Sequence, residues 1–143
     1  MQSLGFHEAV DSIFSREPRY AKEAYAFLRD ALEFTLKRRK KNRKETGSHV
    51  SAAELLDGFR LHALQEFGPM TITVLDYWGV RSCEDIGHLV FHLVEAGVFG
   101  KTEEDSLEGF RAGFDFEDAF SRPFRPEVPI LNDSGGRSVR QYQ

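Results

Sequence analysis

The chain has 143 residues, 41% apolar and 29% charged, with a net charge of −4. That length fits one domain and buries enough surface to hold a core without a disulfide or a metal. The single cysteine, Cys83, excludes an intramolecular disulfide. No apolar run approaches the roughly 20 residues of a membrane span, and the opening MQSLGFHEAVDSIF carries Glu8 and Asp11 instead of the basic start of a signal peptide. The expected location is the cytoplasm.

Phe6, Ala9, Val10, Ile13 and Phe14 recur at the spacing of a buried helical stripe, so the spacing predicts a first helix that ends before Pro18. A second helix is expected over residues 19–41, with Tyr20, Ala24, Leu28, Ala31 and Thr35 along one face. Residues 42–49 read as a polar loop turning at Gly47 and Ser48. Ser51 and Glu54 have the spacing of a capping box and open a third helix to Phe67, which buries Leu55, Leu56, Phe59, Ala63 and Leu64. Gly68 and Pro69 punctuate it.

A short fourth helix is expected over residues 70–78, with Trp78 largely buried beside the stop at Gly79. Ser82 caps a fifth helix whose first turn is acidic and whose stripe is Ile86, Leu89, Val90, Leu93 and Val94. Thr102 to Asp105 cap one further turn. Beyond it Phe110, Phe114, Phe116, Phe120 and Phe124 stand among Gly, Asp and Arg, which reads as an irregular segment pinned by its aromatic rings. Pro123, Pro126, Pro129, Gly135 and Gly136 exclude a regular element after Ser121. The expected fold is all-α: about five helices in one compact domain over residues 1–120, with an extended, irregular tail over 121–143.

Charge is segregated along the chain. Lys37, Arg38, Arg39, Lys40, Lys41, Arg43 and Lys44 form a basic run with no acidic residue among them, whereas residues 84–118 hold ten acidic and two basic side chains. One cationic turn suits the negative end of a helix dipole. The run exceeds that need and forms a collar around the helix end, because residues 3.6 per turn cannot share one face. It is the candidate anion or nucleic-acid contact, salt-dependent and independent of sequence, without interleaved aromatics that would stack bases. Arg122, Arg125, Arg137 and Arg140 make a sparser basic zone on the tail.

No other constellation carries chemistry. His88 and His92 lie four apart on one helical face with Glu84 and Glu95 a turn away, which is the spacing for two metal ligands. The sequence between them, HLVFH, places Leu89 where a zinc protease needs its glutamate. These weak metal candidates are read as a solvated polar face with His paired to Glu, and neither a metal nor another cofactor is expected. Cys83 sits at a helix N-terminus, but Glu84 and Asp85 beside it oppose a thiolate. Residues 70–97 mimic a helix-turn-helix, yet the would-be recognition helix starts acidic and would meet phosphates with the wrong sign. No nucleotide-binding glycine motif or nucleophile elbow is present.

The segments HVSAAELL, FGPM, TVLDYWG and VFHLVEAG, with RYAKEAYAFLRDALEFT upstream and AGFDFEDAF downstream, resemble an uncharacterised bacterial family found mainly in planctomycetes and verrucomicrobia. The resemblance spans roughly residues 5–125. That family has no assigned activity, so the resemblance carries no site residues with it, and His88 and His92 depart from its pattern of other polar residues there. The functional expectation is a non-enzymatic cytoplasmic binding or adaptor module with a protein partner. The alternative is a nucleic-acid- or ribosome-associated protein that uses the basic run.

Overall fold

The computed structural model describes residues 5–42, 50–100 and 107–126. Over them the protein is all-α and has no strand among the described residues. Six helices follow in chain order: α1 (Phe6–Arg16), α2 (Lys22–Asn42), α3 (Ala52–Phe67), α4 (Thr71–Tyr77), α5 (Cys83–Glu95) and α6 (Leu107–Arg111). A 3₁₀ turn, Gly68–Met70, joins α3 to α4, and a π turn (Glu117–Ser121) and a second 3₁₀ turn (Arg122–Phe124) close the described chain. No described helix is long and apolar enough to cross a membrane. The expected loop turn at Gly47 and Ser48 and the cap at residues 102–105 lie outside the described residues.

Local signals explain the helix starts. The Glu8 carboxylate accepts from the Gly5 amide at 2.8 Å and ties down the first turn of α1. At α3 the expected capping box forms: the Ser51 hydroxyl accepts from the Glu54 amide at 3.2 Å, and the Glu54 carboxylate accepts from the Ser51 amide at 3.3 Å. The Ser82 hydroxyl accepts from the Asp85 amide and starts α5.

The core runs through all the long helices. Val10 and Ile13 of α1, Ala24, Tyr25 and Leu28 of α2, Leu55, Leu56 and Phe59 of α3, Leu75 of α4, and Ile86, Leu89 and Leu93 of α5 are buried together. α2 and α3 lie in close contact. Gly58 permits this approach, since a Cβ there would stand 1.7 Å from the Thr35 hydroxyl oxygen and 2.9 Å from the Thr35 Cβ. Phe110 and Phe120 are fully buried and pin the final segment to the helices.

Three expectations are corrected by the packing. α2 begins at Lys22, so Tyr20 lies in the turn before the helix, yet it is fully buried. That turn is held by a distant part of the chain: the Ala21 amide donates to the Trp78 carbonyl at 3.0 Å. Gly79, at φ 90°, leaves room for the Arg19 carbonyl, which a Cβ would approach to 2.7 Å. Trp78 is only partly buried, packed edge-on against Phe67 and tilted against Phe27. The segment after Phe110 is more regular than its composition predicts. α6 ends just beyond Phe110, the π turn carries Phe120, and Pro123 enters a 3₁₀ turn near its start, where its missing N–H costs nothing.

Candidate functional site

Among the described residues of the basic run, the side chains differ in where they turn. Lys37 is exposed. Arg38 is half-exposed and its guanidinium reaches the Asp57 carboxylate of α3 at 3.5 Å. Arg39 turns inward and is 7% exposed. Its guanidinium donates to both oxygens of Glu54, at 2.7 Å and 3.2 Å, so this cation belongs to the α2–α3 contact. Of the remaining candidates, Lys40 and Lys41 have no described side chains, and Arg43 and Lys44 lie outside the described residues.

The histidine face of α5 is also not the solvated surface expected from its spacing. His88 and His92 are each partly buried, and their partners are tyrosines, not glutamates. The Tyr20 hydroxyl donates to the buried Asp85 carboxylate at 2.6 Å and lies 3.0 Å from His88 Nδ1. A hydroxyl has one proton and a carboxylate only accepts, so His88 is the donor to the tyrosine oxygen and carries its proton on Nδ1. The Tyr25 hydroxyl lies 2.8 Å from His92 Nδ1. Asp85 also accepts from the Arg81 amide at 2.8 Å and from Arg19 at 3.3 Å. This network staples the α1–α2 turn to the start of α5.

The titration of these groups fits a brace. Burial raises Tyr20 far above the ordinary tyrosine range, with the Asp85 hydrogen bond adding to it, and pushes Tyr25 up to about 12. Burial also lowers His92, partly offset by Glu17 and Glu95 nearby. Cys83 is pushed up to about 11 by burial, and its thiol donates to the Phe114 carbonyl at 3.3 Å. Burial, more than the neighbouring carboxylates, suppresses the thiolate. All four groups are neutral at pH 7. Among the described residues no three His, Cys, Asp or Glu side chains converge on a metal position. His62 is stacked on Phe27 at 4.9 Å and tilted against Phe34 at 5.0 Å.

A hollow that the sequence did not signal lies beside α4. It has a volume of about 380 Å³ and is walled by Ile72 and Asp76 of α4, by residues 80–82 of the next turn, and by residues 114–117. Its apolar surface comes from Ile72, Val80, Phe114 and Phe116. Phe114 and Phe116 stack at 5.9 Å, and both meet the buried Phe120 edge-on. Two wall carboxylates have cations: Asp76 accepts from Arg81 at 2.6 Å, and Glu117 pairs with Arg125. The third, Asp115, is exposed and accepts from the Asp118 amide at 3.1 Å. A smaller hollow of about 260 Å³ lies on the far side of Phe114, against Leu56 and Asp57 of α3.

Three large apolar side chains are exposed on α4 and on turns that adjoin the walls of the larger hollow. Met70, Tyr77 and Phe124 are the exposed large apolar residues among the described ones, at 54%, 86% and 44%. Met70 and Tyr77 flank α4, and Phe124 ends the 3₁₀ turn that follows Glu117–Ser121. α4 contacts the Gly68–Met70 turn and the π turn, and the π turn contacts the 3₁₀ turn that ends at Phe124. No protein-family model, no curated protein and no solved structure matches this chain.

Proposed function

We propose that this chain is a non-enzymatic binding module, an adaptor of the cytoplasm, that docks a protein partner on the face formed by α4 and the aromatic segment after α6. The observation that carries the reading is an apolar hollow lined by Ile72, Phe114 and Phe116, with Met70, Tyr77 and Phe124 exposed on α4 and on turns that adjoin its walls. Isolated exposed apolar residues need no explanation, but exposed apolar side chains on elements adjoining an apolar hollow fit an interaction site. Tyrosine supplies a large contact area at little entropic cost and is enriched among the residues that dominate binding energy.

The test is affinity capture with immobilised wild-type protein beside a Met70→Ser/Tyr77→Ser variant whose helical circular dichroism matches wild type. A partner retained by the wild type and lost by the variant supports the docking face. Equal retention by both would place the binding surface elsewhere.

A further inference from the structure

The hollow beside α4 combines an aromatic floor with three wall carboxylates, Asp76, Asp115 and Glu117, of which one is left without a described cation. Arg81 is already held by Asp76, and Arg125 is held by Glu117. Asp115 differs from both. Its carboxylate is exposed and takes one backbone amide, and no described cation reaches it. A carboxylate retains acceptor capacity after one such bond, because its two oxygens offer about four lone-pair sites.

We propose that this hollow receives an arginine or lysine side chain from a partner polypeptide, with a neighbouring apolar side chain of the same segment seated against Ile72. The inference rests on the docking-face reading and names the chemistry of the partner. The long stem of a basic side chain is apolar and packs along rings while its head stays polar. Phe114 and Phe116 provide those rings, with Asp115 between them in sequence. A cation near an aromatic face gains further attraction from the ring quadrupole. A guanidinium meeting Asp115 makes a charge-assisted hydrogen bond, stronger than a neutral one. An acidic or phosphorylated segment would meet the uncompensated carboxylate of Asp115 as a like charge.

The probe is an acetylated, amidated octapeptide alternating leucine and arginine, titrated into the full-length protein and followed by amide chemical shifts. Its citrulline counterpart has nearly the same shape and no charge. The expected result is saturable shifts at Ser82, Asp115 and Phe116, weakened by added salt, with the citrulline peptide bound about tenfold more weakly, the size of a lost charge-assisted bond. Asp115→Asn should lower arginine-peptide affinity to a similar extent, since the amide oxygen still accepts from Asp118 and only the charge is removed. Asp30→Asn, at an exposed position of α2, is the control and should change nothing.

Equal binding of the two peptides, an undiminished Asp115→Asn variant, or shifts centred outside the hollow would each overturn the proposal. Self-association of the wild type that Asp115→Asn abolishes would overturn it in favour of a second copy of the chain. If the peptide fails while Met70→Ser/Tyr77→Ser still loses a captured partner, the docking face stands and only its basic ligand is wrong.

Discussion

Two polar regions flank the turn between α4 and α5, and they use their side chains in opposite ways. On the α5 side, the Asp85 carboxylate takes a tyrosine hydroxyl, a backbone amide and a guanidinium, and both histidines have Nδ1 engaged by tyrosines. On the α4 side, Asp115 takes a single amide, and Tyr77 points its ring at solvent. A buried polar group must be satisfied internally, so its removal is felt by the fold. An exposed one is satisfied by water and can exchange that water for a partner. Residue type does not separate the two regions, since each has carboxylates, an arginine and aromatic rings; degree of burial does.

The sharpest break of that comparison is Asp85→Ala. It strands the Arg81 amide, leaves the Tyr20 hydroxyl with His88 alone, and should cost about 3 kcal/mol in urea unfolding. A loss below about 1 kcal/mol, the worth of one ordinary hydrogen bond, would reduce the network to a surface contact. Next comes Arg39→Gln, which leaves Glu54 without its buried guanidinium and should cost about 2 kcal/mol. Lys37→Gln, two residues away but exposed, should leave stability unchanged. The same pair separates fold from ligand in the nucleic-acid alternative. RNA binding at low salt, if the run provides it, should fall with Lys37→Gln, whereas Arg39→Gln should act through unfolding.

The tyrosines give smaller effects. Tyr20→Phe should cost about 2 kcal/mol and Tyr25→Phe about 1 kcal/mol, because only the first donates to a buried carboxylate. Equal losses would mean that the charge of Asp85 does not matter to the brace. The pH dependence has two limbs. His92 is lowered in the folded state from 6.5, so its contribution is present above that pH and is lost as acid protonates the unfolded chain preferentially. Tyr20 and Tyr25 are raised from 10.0, so their contribution is intact below pH 10 and is lost as pH rises beyond it. Tyr25→Phe should blunt the alkaline limb, and thermal melts across pH would read both.

At the other extreme, Tyr77→Ser and Asp115→Asn should each change stability by less than about 0.5 kcal/mol, as surface substitutions do. A loss near 2 kcal/mol at either position, the size seen for groups held inside the fold, would move that residue into the brace category and weaken the docking proposal.

The chain itself determined the helices. Periodic apolar residues predict α1, α3 and α5, and the Ser51–Glu54 box forms as its spacing dictates. These are local facts, settled within a few residues. The start of α2 was misplaced because Tyr20 fits the helical stripe, while a contact with Trp78, far along the chain, holds its backbone in a turn. The roles of the polar residues were not legible either. Helical period states that His88 and His92 share a face, but only packing states what lies opposite: tyrosines 68 and 67 residues away. Likewise the basic run is plain in sequence, yet whether Arg39 faces water or Glu54 depends on how closely α3 approaches at Gly58. The hollow beside α4 is assembled from residues 72–82 and 114–117, which form no motif along the chain. Periodicity and capping act between neighbours and can be read from order alone. Burial and concavity arise when separate helices exclude water from one another, so they belong to the assembled fold.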